Sequence, residues 1–234
     1  MKPLLPVVLI CIFCLSVTSA QAGVSPCMQK GGRMRADGKC LLTIDAQVSV
    51  DYPLDLAAND LVAQTIDPFI KSSKDEFMRT VGTNFIPAPG PYKLDITYET
   101  TKHSDEVFTL VFTVYEFTGW ANGSTNIFTY TFDTTNNKIL ALDDLFTDTK
   151  AALEIIRPMV QSIVKADVGT MNQQDLLDDG TAIDPQNYQA FSLDADSITF
   201  YFSPYQVALY EAGVQKATIP LAKLTSVLKP EFAS

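Results

Sequence analysis

Residues 92–133 hold three runs that alternate with period two: YKLDITYET (92–100), VFTLVFTVYEF (107–117) and NIFTYTFD (126–133). β-Branched and aromatic side chains dominate them, and such side chains suit a pleated, half-buried surface. The links are short, so consecutive strands pair antiparallel. TTNN at 134–137 is a turn, and the short apolar run 139–142 follows it. A sheet of this kind buries its apolar face against other elements, and the flanking segments supply them.

Upstream, LTIDAQVSV (42–50) places Leu42, Ile44, Ala46, Val48 and Val50 on one side of a further strand, which Asp51-Tyr52-Pro53 ends. Asn59 or Asp60 suits a helix cap. Leu61, Val62, Ile66, Phe69, Ile70, Phe77, Met78 and Val81 then recur at helical spacing, predicting an amphipathic helix over 58–80. Pro68 is expected to kink or divide it. Residues 84–91 carry three prolines and a glycine and read as a loop. Downstream, Leu153, Ile156, Val160, Ile163 and Val164 form the stripe of a second helix, bent at Pro158. The polar stretch MNQQDLLDDGTAIDPQN separates it from strands at 188–194 and 197–202, and the tail reads as another strand or two and a short closing helix. Helices after runs of strands favour α+β, an antiparallel sheet packed against two main helices. Phe112, Val114, Ile127, Phe191, Phe200 and Phe202 are the expected core on period-two grounds.

The N-terminus, MKPLLPVVLICIFCLSVTSAQAG, has a lysine, a short apolar stretch and the small-x-small site Ala20-Gln21-Ala22. It reads as a secretory signal peptide over 1–22, and its apolar run falls short of the ~20 residues a membrane span needs. Cleavage leaves Cys27 and Cys40, an even pair in an oxidising compartment. A disulfide between them would close the Gly-rich segment 23–41 and contribute about 3 kcal/mol in the chain-entropy model. The remainder divides into a strand-helix-strand half over 42–115 and an α+β half over 116–234, packed as one compact unit. The net charge of −10 repels nucleic acid and favours a cationic partner.

Catalytic signatures are sparse. The one histidine, His103, sits in the polar turn TTKHSDE, and His103-Ser104-Asp105 adjacent in sequence is not triad geometry. No G-x-S-x-G or H-E-x-x-H is present. Asp175, Asp178, Asp179 and Asp184 surround Gly180, but Leu177 and Gln186 occupy positions where a calcium loop needs oxygen ligands. A solvated acidic loop is the reading there. Asp143, Asp144 and Asp148 fit a helix start. No catalytic residue, metal or cofactor is assigned, although a hydrolase using a carboxylate pair needs no local motif.

One loop stands out: EFTGWANGSTN at 116–126, with the chain's single tryptophan. Gly119 and Gly123 allow a sharp turn, and Asn122-Gly123 suits positive φ. Trp120 either folds back over the core, as the usual burial of tryptophan favours, or stands as a binding platform.

Several motifs occur in a fixed order. They are Tyr52-Pro53, Leu94-x-Ile96-x-Tyr98, the Gly119–Gly123 loop, Asp133, Leu142-Asp143-Asp144-Leu145-Phe146 and Phe191-Ser192-Leu193. The last is Phe202-Ser203-Pro204-Tyr205-Gln206-Val207-Ala208-Leu209-Tyr210-Glu211-Ala212-Gly213. Together they resemble an extracytoplasmic domain of unknown function, covering about 44–224. That domain is found in the lysozyme-binding anti-sigma-V factor and beside peptidoglycan deacetylases of the polysaccharide deacetylase C type. The resemblance implies an α+β envelope protein without an established reaction. Where the family loop reads Gly-Gly-Ala-His-Gly, this chain has Trp120 and Asn122. The candidate ligand-binding residues are Trp120, Asn122, Tyr115 and Tyr205. The expected role is a periplasmic or secreted bacterial binding module for a cell-wall glycan or a wall-acting protein such as lysozyme. The alternatives are a carboxylate-dependent hydrolase of envelope polymers and a structural envelope protein.

Overall fold

The computed structural model describes residues 33–34, 36, 38–41, 46–83 and 91–233. The expected signal peptide, Cys27 with its disulfide, the first residues of the 42–50 strand and nearly all of the 84–91 loop lie outside these. The chain separates into two units, residues 1–42 and 43–234. In the first, β1 (Arg33–Met34) pairs antiparallel with β2 (Cys40–Leu41), Met34 opposite Cys40.

The second unit is α+β. Its larger sheet has the order β3 (Ala46–Val50), β4 (Tyr92–Lys102), β5 (Val107–Phe117), β6 (Ser124–Asp133), β7 (Lys138–Leu140). Neighbours from β4 to β7 are antiparallel, but β3 runs parallel to β4. The departure from an all-antiparallel sheet has a simple cause. The 24-residue helix α1 (Asp60–Thr83) lies between β3 and β4 in the chain, and such a crossover carries the chain back to re-enter in the same direction. Asn59 caps α1, its Oδ1 accepting from Leu61 N at 2.9 Å. Pro68 lies inside α1 without dividing it.

α1 buries Val62, Ile66, Phe77 and Val81 against one face of the sheet, where Leu94, Ile96, Leu110, Phe112 and Phe132 complete a core. Register decides which residues share that face. Phe112 lies opposite Phe128 and Val114 opposite Asn126, so both expected core residues on β5 are buried. Ile127 lies opposite Thr113 and is only half-buried, on the other face. The expectation that Ile127 joins the core with Phe112 and Val114 fails because it is one residue out of phase.

The C-terminal half adds α2 (Leu142–Leu145), α3 (Thr149–Val168), α4 (Gln174–Gly180) and a second sheet, order β10 (Gln215–Pro220), β9 (Ser197–Phe202), β8 (Phe191–Leu193), all antiparallel. Asp148 caps α3 by accepting from Ala151 N at 3.0 Å. α3 buries Leu153, Ile156, Val160 and Val164 with Phe191, Phe200 and Phe202 in a second core. The acidic stretch at 174–180 is helix α4 rather than a loop, although Asp175, Asp179 and Asp184 are exposed as expected. Asp178 there accepts from Gln161 and Gln174 at 2.9 Å each and lies 3.5 Å from Arg157. The segment 205–213 is a loop with a short 3-10 turn (Tyr210–Ala212), so the tail supplies one strand, β10.

Threonines join the sheets. Thr129 Oγ1 accepts from Phe191 N, and Thr109 Oγ1 from Leu193 N, both at 3.1 Å. Thr109 and Thr131 are buried and bond each other at 2.9 Å. These hydroxyls stand in for a missing neighbour strand, satisfying edge amides of β8 that burial would otherwise leave costly.

Candidate functional site

β5 delivers Tyr115 to the face of the large sheet away from α1, with Asp95 and Thr125 as its cross-strand partners. The chain then turns at Gly119, whose φ is 93°, a left-handed value that favours glycine. Gly123 has no such φ. Its requirement is space, because a Cβ there would overlap the Tyr115 ring. The Gly123 carbonyl accepts the hydroxyl of Tyr210. Tyr210 in turn packs on Tyr205, ring centroids 5.3 Å apart and planes tilted by 35°. Lys93 Nζ lies 5.8 Å from the Tyr115 centroid and 3.1 Å from Asp95. Tyr115, Gly123, Tyr210 and Tyr205 thus form one continuous tyrosine ledge, flanked by an ion pair.

The turn that presents Tyr205 is held firmly. Gln206 N donates to Ser203 O at 3.0 Å, with Pro204 and Tyr205 at the two central positions. Proline presets the first. The second takes φ 69° in Tyr205, where glycine is the ordinary choice. A left-handed conformation costs a residue with a Cβ about 1–2 kcal/mol. The Gln206 side chain restrains the turn: Oε1 accepts from Ser203 N at 3.2 Å, and Nε2 donates to the Asn187 carbonyl at 2.9 Å and the Gly180 carbonyl at 3.4 Å. Gly180 closes α4 against this turn, and a Cβ there would overlap the Gln206 carbonyl oxygen. Local strain therefore holds a tyrosine ring that is 60% exposed, and strain of this kind gathers at functional sites.

The structure brings together two of the four residues expected to bind ligand, Tyr115 and Tyr205. Trp120 and Asn122 occupy the adjoining loop tip. Trp120 is 68% exposed and does not fold back over the core. Asn122 is exposed and does not take positive φ, so the turn rests on Gly119 instead. Sequence reasoning missed Tyr210 and Lys93 as site residues. Tyr210 carried a signal, its place in the Phe202–Gly213 motif. Lys93 carried none.

Other titratable groups sit elsewhere. Glu116 points to the α1 face, and burial, then the Glu76 carboxylate, push its carboxyl above the usual range. His103 Nδ1 bonds the Asp194 carbonyl at 2.9 Å, and its ring packs on Phe232. The Ser104 hydroxyl accepts from Glu106 N and Val107 N rather than facing the imidazole. Among the described residues, no three His, Cys, Asp or Glu side chains are grouped to hold a metal ion, and no helix is long and apolar enough to cross a membrane.

Several known proteins are similar to this chain. The chain is 26% identical over 191 residues to the peptidoglycan-N-acetylmuramic acid deacetylase PdaC of Bacillus subtilis, covering 79% of this chain but only 39% of that enzyme. It is 26% identical to the immunogenic protein MPT64 of Mycobacterium tuberculosis, over 76% of this chain and 74% of that protein. It is also 26% identical to an M. tuberculosis esterase, over 85% of this chain and 89% of the esterase. A crystal structure of a DUF3298 family member from Bacteroides fragilis aligns with TM-score 0.49 and 22% identity, over 76% of this chain and 70% of that one. Asp143 begins and Ala222 ends the segment that matches the family model described as a protein of unknown function, DUF3298, so the match spans the Tyr205–Tyr210 half of the ledge.

Proposed function

We propose that this chain is an exported binding module of the bacterial envelope and that its tyrosine ledge holds cell-wall glycan. The single observation that carries the reading is Tyr205. The strain at Tyr205 offsets most of what its ring gains by packing on Tyr210, so a glycine turn would serve stability about as well, whereas the pinned, exposed ring preorganises an aromatic surface. Aromatic faces receive the C–H faces of sugar rings, and Lys93 and Asp95 offer a donor and an acceptor beside them. The named activity of the B. subtilis relative, on peptidoglycan, supports a glycan over other polymers. A wall-acting protein of basic character, such as lysozyme, is the competing ligand, since a net charge of −10 attracts it.

Cosedimentation with purified peptidoglycan tests the reading. Tyr205→Gly keeps the turn and removes the ring. The wild-type protein should sediment with the polymer, and Tyr205→Gly should bind about tenfold more weakly, the scale of one hot-spot aromatic. Absence of wild-type binding, or equal binding by the variant, contradicts it.

A hydrolase is the second reading. It draws on the esterase relative and on Glu116, a half-buried carboxyl held protonated more readily than usual. Release of p-nitrophenol from p-nitrophenyl acetate, lost in Glu116→Gln, would support it. Rates equal to buffer alone would remove it.

A further inference from the structure

A cleft of about 270 Å³ opens between β6, the β7–α2 junction and the segment 185–189, apart from the tyrosine ledge. Its apolar floor is Leu140, Leu142 and Phe191, all less than a tenth exposed. Five polar residues line it: Asp143, Gln186, Gln189, Thr129 and Thr131. The glutamines bond each other through Gln189 Nε2 and Gln186 Oε1. That bond leaves the Gln186 amide as a donor and the Gln189 carbonyl as an acceptor among the residues that line the cleft. Asp143 uses its backbone carbonyl to accept from Lys229, and its carboxylate is not engaged by that bond. Of the two β6 threonines in the lining, Thr129 accepts from Phe191 N, which leaves its O–H as a donor, and Thr131 bonds Thr109.

An apolar floor with a few convergent polar groups is the usual form of a small-ligand site. The chemistry of this one is narrow. Among the described residues no lysine or arginine side chain lines it, and Asp143 repels anions, so phosphates and carboxylates are disfavoured. The cleft is too small for a polymer segment of several rings. An acceptor carboxylate, a donor amide and an acceptor amide around an apolar floor match a ring with hydroxyls at its rim and C–H bonds on its face. We infer that this cleft is a binding site for one neutral pyranose ring, independent of whatever the ledge holds.

The experiment is a ¹H–¹⁵N NMR titration of the protein with glucose, with N-acetylglucosamine and with glucose 6-phosphate as probes. A neutral sugar should produce saturable shifts at millimolar concentration in the amides of Thr129, Thr131, Phe191 and Gln189. Gln189→Ala should weaken binding about tenfold, the loss that one or two hydrogen bonds produce. Ala141→Phe places a ring in the cleft from an exposed position and should abolish the shifts while leaving the spectrum folded. Tyr205→Gly should leave them unchanged, which separates this site from the ledge. No saturable shift with either neutral sugar overturns the inference. So does tighter binding of the phosphate ester, or shifts that persist in both Ala141→Phe and Gln189→Ala.

Discussion

Truncating Phe112 tests the packing that positions the site. Phe112 is fully buried, and its ring lies 5.1 Å from Phe69, 6.1 Å from Tyr98 and 6.3 Å from Tyr130. Phe→Ala in a core costs about 3–5 kcal/mol, the range reflecting how far the site collapses. Collapse is restricted here, because β5 is hydrogen-bonded on both sides, to β4 and to β6. The expected loss is therefore in the upper part of that range, about 4–5 kcal/mol. At about 2–4 °C per kcal/mol for a domain of this size, Tm should fall by roughly 8–20 °C. Ile127→Ala is the internal comparison. It lies one residue out of phase, half-buried on the opposite face, so a loss of about 1–2 kcal/mol is expected from its partial burial. Urea unfolding followed by far-UV circular dichroism gives both values, with an unchanged m-value showing that the denatured state is comparable. Equal losses for the two variants, or less than about 1 kcal/mol for Phe112→Ala, would refute the assignment of faces.

Other substitutions probe the site itself. Tyr205→Gly relieves about 1–2 kcal/mol of left-handed strain. It also gives up a ring pair of about 0.5–1.5 kcal/mol and adds unfolded-chain freedom, so its midpoint should stay close to that of the wild type. Gly180→Ala forces a methyl into the Gln206 carbonyl, so it should cost about 1–3 kcal/mol by overpacking and shift the NMR signals of the 203–206 turn. The single tryptophan, Trp120, should be readily quenched by acrylamide, and Trp120→Ala should change stability by no more than about 0.5 kcal/mol. Burial and then Glu76 raise the folded-state pKa of Glu116, so its contribution is fully present below the unfolded carboxylate pKa and is lost as pH rises through the raised one. Glu116→Gln, neutral throughout, should be more stable than the wild type at neutral pH, with the difference closing in acid. A constant difference across that window would show that the charge is not the cause.

The large sheet was legible because its signal is local. Period-two alternation at 92–133 needs no tertiary information, and three strands appear close to their expected bounds. Phase between neighbouring strands is not local. Register places Ile127 opposite Thr113, and nothing inside NIFTYTF states that pairing. α4 was hidden for a related reason. Its acidic residues read as a loop in sequence, whereas Gln161 on α3 and Arg157 a turn earlier engage Asp178 only after folding. The loop at 116–126 was recognisable from its glycines, but their roles were not. Gly119 answers to φ, while Gly123 answers to the Tyr115 ring that returns beside it. Half of the ledge comes from residues some 80 positions downstream, and the strain at Tyr205 exists only in three dimensions. A tyrosine after proline reads as an ordinary turn residue until its φ is seen.

The most direct test of the ledge is chemical-shift mapping with soluble, lysozyme-released peptidoglycan fragments. The account predicts saturable shifts in Lys93, Tyr115, Gly123, Thr125 and the Tyr205–Tyr210 segment, and their loss in Tyr205→Gly while the rest of the spectrum is retained. Fragments that bind without moving those signals, or that move them equally in Tyr205→Gly, would contradict the claim that the strained tyrosine and its neighbours are the binding surface.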